Sequence, residues 1–202
     1  MSTRRTIDVS ELPTYAFGHR PLTWWATMSM ILMEGTMFVV LLISYFFLRT
    51  RVPDWPPGPT SPPDLFWGTV NTFVILASCV PNYFVEKVAK RLDLCRVRLW
   101  MIVTLAFAVA FAVVRVFEFG ALGVRWDQNA YGSIVWVNMG FHTAHLLTDM
   151  ADTVVLIALM FFGPVEGKRF VDVSENGIYW YFVVAMWLPL YCVIYIAPRL
   201  MR

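Results

Sequence analysis

Apolar residues run along this chain in five long stretches, at about 21–48, 65–85, 99–119, 131–162 and 178–198. Each can cross a hydrocarbon core, which takes about 20 helical residues. The runs are continuous and rich in leucine, valine and phenylalanine. They lack the ~10-residue alternation of a membrane barrel. Backbone polar groups in lipid must pair internally, so the pattern predicts an all-α integral membrane bundle of five transmembrane helices, in a single domain over 1–202. The fourth run is too long for one upright span and should tilt or project past the headgroups. Pro81 and Pro189 fall inside the second and fifth runs; each removes a backbone donor and predicts a kink. The segment at 49–64, RTRVPDWPPGPTSPPD, is too proline-rich for a regular helix.

Composition agrees with lipid as the solvent. The chain is 58% hydrophobic and only 15% charged, where a soluble domain carries roughly a quarter charged residues. Mean hydropathy is +0.61. The formal charge of +2, with no basic block or stripe, excludes a nucleic-acid partner. Cys79, Cys95 and Cys192 are scattered, which predicts neither a disulfide framework nor a zinc site. The first twenty residues are polar and unlike a secretory signal peptide, so the first helix is expected to direct its own insertion. Basic residues cluster in the tail (Arg4, Arg5, Arg20), the second loop (Lys87, Lys90, Arg91, Arg96, Arg98) and the fourth (Lys168, Arg169). The other side holds Arg49, Arg51, Arg125, Arg199 and Arg202, which predicts a cytoplasmic N-terminus and an external C-terminus. No internal repeat is present, and five helices do not form the inverted halves of a transporter.

Several titratable groups interrupt the apolar runs. Glu34 lies near the middle of the first, where a carboxylate costs at least ~2.5–3.5 kcal/mol on insertion scales. A protonated Glu34 hydrogen-bonded to a neighbouring helix is expected, serving either as a structural contact or in a proton relay. Arg115 and Glu118 are three apart, share a face and can form an ion pair, with the arginine snorkelling toward the near surface. In VNMGFHTAHLLTDMADTVVL, at 137–156, His142, His145, Asp149 and Asp152 fall within one narrow stripe at ~100° per residue. That stripe must face protein or water, which predicts an interior seam with Asp149 and Asp152 nearing cytoplasmic water. Histidines three apart on one helix cannot clasp a haem from both sides. Imidazole and carboxylate suit a metal, but the paired Glu-x-x-His motifs of a di-iron bundle are missing. No phosphate loop, nucleophile elbow or thiol motif occurs, so no catalytic residue and no metal site are expected in this chain.

Those polar positions, with their surroundings, resemble subunit III of the haem–copper oxidases. Glu34 followed by Tyr45-Phe46-Phe47-Leu48-Arg49 is similar to that family's first matching helix. Asn71-Thr72 with Leu76 and Ser78, then Glu118-Phe119, continue the likeness. Tyr131-Gly132-Ser133 with Gly140-Phe141-His142 and His145 gives the strongest match; Glu175, Tyr179-Trp180, Phe182 and Trp187-Leu188 complete it. The likeness runs in order from about Trp24 to Tyr195, in the family's short five-helix form. Four departures stand out: Arg115 for a usual glutamine, Tyr181 and Val184 for a histidine and an aspartate, Asp149 for a glycine, and Pro189 in the last motif.

The resemblance implies a non-catalytic subunit of a terminal oxidase, in which oxygen reduction is coupled to proton translocation. It implies no cofactor in this chain, with haem and copper in partner subunits, and bound phospholipid. Catalytic subunit I and subunit II are the implied partners, in a bacterial plasma membrane. Glu34, Glu118, His142 and His145 would form the interior seam, with Asp149 and Asp152 collecting protons for uptake from the cytoplasm. Two other readings are an accessory subunit of a nitric oxide reductase, and a free-standing metal-binding enzyme or proton-coupled transporter using His142 and His145.

Overall fold

The computed structural model describes residues 16–18 and 21–200. Arg4, Arg5, Arg20 and Arg202, used above for orientation, lie outside the described residues. Five long helices form: α1 (Leu22–Arg49), α2 (Leu65–Ala89), α3 (Leu94–Gly120), α4 (Ala130–Phe162) and α5 (Gly167–Tyr191). From α5 the chain continues through a π-helical turn, Cys192–Ile196, into Ala197–Leu200. All five are long and apolar enough to cross a membrane, and no strand occurs among the described residues.

Side-chain caps set three of the starts. Asp64 accepts from Phe66 N at 3.4 Å, Asp93 from Arg96 N at 3.2 Å, and Asn129 from Gly132 N at 2.8 Å. The helices reach further than the apolar runs. α5 begins at Gly167, not Ile178, because the polar stretch KRFVDVSEN is amphipathic and buries Phe170, Val171 and Val173. Lys168 and Arg169 are therefore in its first turn rather than in a loop. The connection between α2 and α3 shrinks to 90–93, with Leu92 in the left-handed region at φ 55°. Glu86, Lys87, Arg96 and Arg98 consequently sit on helix ends.

α5 is the central helix. It packs against α1, α2 and α4, while α2 lies on α3, α3 on α4, and α1 on α4 and α5. Over their most apolar windows α5 is 56% buried and α1 only 11%, so α1 forms the edge of the bundle. Lipid tails are as apolar as leucine, so close packing and interhelical hydrogen bonds must hold such helices together. Between α2 and α5 those bonds form a ladder. Asn82 donates to Gly177 O at 2.9 Å, Trp180 Nε1 to Ser78 Oγ at 2.9 Å, and Trp187 Nε1 to Thr72 Oγ1 at 2.8 Å. Thr69 and Tyr191 close it, hydroxyl to hydroxyl, at 2.7 Å. Pro81 and Pro189 lie within these two helices, and three residues beyond Pro189 the chain widens into the π turn that carries Tyr195.

The proline-rich segment at 49–64 folds back onto one end of the bundle. Its Trp55, preceding a cis peptide bond to Pro56, is buried edge-on against Tyr45 and Tyr131, with ring centroids 5.4 and 5.2 Å away. Arg199 donates to Pro63 O and Tyr195 O, tying the chain's last helical turn to this segment.

Gly68 makes the close approach of α2 to the π turn possible. A Cβ there would stand 2.5 Å from Cζ of Tyr195. Gly68→Ala should therefore destabilise the protein by about 1–3 kcal/mol, the usual cost of overpacking, seen as a lower thermal midpoint in detergent. The same substitution in a Tyr195→Leu background should cost less, because the obstructing ring is gone.

Candidate functional site

The titratable groups gather in two separate clusters. The first is sealed inside. Glu118 of α3, 1% exposed, receives Tyr195 OH on Oε1 at 2.5 Å and Asn71 Nδ2 on Oε2 at 2.7 Å. Arg115 Nη1 lies 3.1 Å from Glu118 Oε2. Arg115 does not snorkel to the surface as its place on the helix suggested; it too is 1% exposed, held between rings. Its guanidinium carbon sits 4.0 Å from the Trp187 ring centroid and 4.7 Å from that of Phe111, a stacking arginine favours through its planar, weakly hydrated cation. Nη1 also reaches Met139 Sδ at 3.0 Å. One ion pair thus joins α2, α3, α4 and the π turn.

His142 completes this cluster. Its Nδ1 lies 3.4 Å from Arg115 Nη2 and its Nε2 lies 3.0 Å from Val183 O. Arginine only donates and a carbonyl only accepts, which assigns Nδ1 as acceptor and Nε2–H as donor in a neutral ring. Both nitrogens are engaged, so the residue does not fit a haem or metal ligand.

The second cluster faces a cleft of about 720 Å³ between α1, α4 and α5. Tyr179 OH donates to Glu34 Oε2 at 2.5 Å, which supplies the neighbouring-helix partner expected for Glu34. His145 Nε2 lies 3.6 Å from the same oxygen, too far for a direct hydrogen bond, while its Nδ1–H donates to Phe141 O at 2.7 Å. Deeper toward the basic end, Asn176 Nδ2 bridges two carboxylates, Asp149 Oδ1 at 3.0 Å and Asp152 Oδ2 at 3.1 Å. Its Oδ1 accepts from Thr153 Oγ1 at 3.1 Å. Asp149 was expected near water. It is only 3% exposed, whereas Asp152, one turn on, is exposed.

The single seam drawn from the helical wheel is thus divided. Glu118 and His142 belong with Arg115 in the interior, while Glu34 lines the cleft and His145 stands beside it. Buried Phe38 stands between them, its ring centroid 6.3 Å from His142 and 5.0 Å from His145. Sequence reasoning missed the parts of Asn71, Tyr195 and Asn176. Asn176 sat outside the fifth apolar run, and a hydroxyl or amide carries no charge to mark it. Among the described residues no three His, Cys, Asp or Glu side chains are grouped to hold a metal ion.

Fold and clusters together define a multi-pass helical membrane protein with internal ionic and hydrogen-bonded groups. Residues 23–198 match the family described as cytochrome c oxidase subunit III. The chain is 27% identical over 173 residues to cytochrome c oxidase subunit 3 of Thermostichus vulcanus, covering 84% of each sequence. It is 23% identical over 184 residues to the subunit 3 of Synechocystis sp., covering 89% of this chain and 77% of that one. A probable subunit 3 of Mycobacterium bovis is 28% identical over 169 residues, 80% of this chain and 81% of that one. The chain belongs to the cytochrome c oxidase subunit III family. It is accordingly a non-catalytic subunit of a haem–copper oxidase, associated with other oxidase subunits in an oxidoreductase complex of the respiratory chain. The match supports neither the nitric oxide reductase reading nor the free-standing enzyme or transporter.

Removing the guanidinium would leave Glu118 buried without its counter-charge. Arg115→Met should cost about 3–5 kcal/mol, the usual penalty for breaking a buried pair from one side, measured by denaturant unfolding in detergent. Adding Glu118→Gln removes the stranded charge, keeps one acceptor oxygen for Asn71 and turns an amide donor toward the Tyr195 hydroxyl, and should recover part of that loss.

Proposed function

We propose that this subunit docks on catalytic subunit I and subunit II in a bacterial plasma membrane, holds no active site of its own, and supplies protons at the cytoplasmic face. Haem and copper reside in the partner subunits; phospholipid binds against this chain. The cleft carrying Asp149 and Asp152 is the observation behind the proton-supplying role. It lies at the end where Lys87, Lys90, Arg91, Arg96, Arg98, Lys168 and Arg169 gather, the cytoplasmic end by the positive-inside bias. The same bias orients the N-terminus toward the cytoplasm and the C-terminus outward.

In the cleft Asp152 is exposed, and Asn176 links it to buried Asp149. A proton taken up at Asp152 has a fixed polar neighbour to pass to, and Glu34 with Tyr179 lies on the same wall. The apolar outer faces suit lateral contact with a larger membrane subunit: Leu32, Met33, Val40 and Ile43 on α1, and Val109, Val113 and Val116 on α3.

Asp149→Asn combined with Asp152→Asn should slow proton uptake by the assembled oxidase several-fold, with the gap widening as pH rises and bulk protons become scarce. Stopped-flow uptake with a pH indicator reads this directly. Unchanged rates across the pH range would remove the proton-collecting role. Affinity purification of the tagged chain tests the docking: it should bring down subunits containing haem and copper that consume oxygen.

A further inference from the structure

We infer that Tyr45, Trp55 and Tyr131 together bind a small monovalent anion, a halide such as chloride, where the proline-rich segment meets the end of α1 and the start of α4. The three rings pack edge to edge. Their centroids lie 5.4 Å apart for Tyr45 and Trp55, 5.2 Å for Trp55 and Tyr131, and 6.4 Å for Tyr45 and Tyr131. Both tyrosines are 0% exposed and Trp55 is 4% exposed. Each ring carries one polar atom, and all three are buried without a hydrogen-bond partner: Tyr45 Oη, Trp55 Nε1 and Tyr131 Oη. Buried groups of this kind are ordinarily satisfied. Trp55 Nε1 lies close to the Tyr45 hydroxyl, yet neither atom completes a hydrogen bond. Packing does not account for these residue types, since phenylalanines would fill similar space and leave nothing unpaired.

Chemistry and charge select the occupant. An indole N–H can only donate, and each phenol can turn its hydrogen toward a common point, so the triad offers three donors. Two guanidiniums act on it electrostatically, Arg49 on the Tyr45 hydroxyl and Arg199 on that of Tyr131. Arg199 is held there by its bonds to Pro63 O and Tyr195 O. The carboxylate next to Trp55 in sequence, Asp54, is exposed. A positive field combined with donors favours an anion over a neutral water and excludes a cation. Rings packed this closely admit a single atom rather than an oxyanion such as sulfate or phosphate. The approach is a cleft of about 250 Å³ lined by Arg49, Thr50, Val52, Pro53 and Trp55, where the Arg49 charge draws anions toward the indole. Bound there, the ion ties the segment at 49–64 to both helices. Asn129 Nδ2, donating to Thr60 Oγ1 at 3.1 Å, is a second tie between that segment and α4.

The test is thermal unfolding of the full chain in detergent, in gluconate buffer and with chloride or bromide replacing gluconate at constant ionic strength. Either halide should raise the midpoint saturably, by about 2–4 °C once the ion is about fivefold above its dissociation constant. Sulfate should not reproduce the rise. Tyr131→Phe and Trp55→Phe each keep a ring in place while removing one donor, and either should abolish most of the halide effect. If one of them fails to fold, the other still decides. Crystals soaked in bromide should show its anomalous signal among the three side chains. A midpoint indifferent to halide would overturn the anion and leave water as the occupant. A rise that survives both substitutions, or that sulfate matches, would mean a surface or general salt effect and overturn the site. None of these measurements involves oxygen consumption or proton uptake, so this site and the oxidase role stand or fall separately.

Discussion

Polar groups inside this bundle depend on protein for their partners, because the surrounding hydrocarbon offers none. That constraint, more than apolar attraction, explains the central position of α5. Its Trp180, Trp187 and Tyr191 carry their own hydrogen-bonding atoms, and α2 presents Ser78, Thr72 and Thr69 to meet them, with Asn82 reaching the bare backbone at Gly177. Such bonds contribute only about 0.6 kcal/mol each on average in a membrane. Their value here is register. The indoles can pair at only one sliding position of the two helices, and that position brings Tyr195 over Gly68 and onto Glu118.

The Arg115–Glu118 pair obeys the same rule at higher stakes. A buried pair of this kind is weak as a source of net stability, yet costly to break from one side. Its donors and acceptors come from four parts of the chain, so it fixes how α2, α3, α4 and the π turn meet. The Trp187 ring serves both systems, donating to Thr72 on one side and stacking on Arg115 on the other. A disturbance in the ladder therefore reaches the ion pair through a single side chain. His142, neutral and engaged at both nitrogens, seals the cluster from the cleft side together with Phe38.

On the other side the rule is only half obeyed. Asn176 can spread one amide over two carboxylates, but Asp149 and Glu175 keep oxygens without donors. The Arg115–Glu118 cluster is closed in by protein, though Arg115 Nε and Asn71 Oδ1 keep no partner, while the cleft stands open. The contrast separates a closed cluster that fixes how the helices meet from an open cleft lined by carboxyls.

Much of the fold was legible in the order of residues. Five apolar runs long enough to span a bilayer leave helices as the solution, and the motifs around Glu34, Tyr131–Ser133 and Gly140–His145 pointed to the family. The Arg115–Glu118 spacing also foretold which two groups would meet, since three residues is a local distance on any helix. The sequence could not say that His142 and His145 look into different clusters. A helical wheel gives directions around one axis, and Phe38, the residue between them, comes from another helix. It could not bury Asp149 while leaving Asp152 exposed, because burial depends on how α1 and α5 pack against α4. The reach of α5 back to Gly167, the partnership of Asn176 with both aspartates and the closing of Tyr195 onto Glu118 were likewise decided in three dimensions. Uncharged amides and hydroxyls look alike along a chain, and only packing determines which of them a buried charge will find.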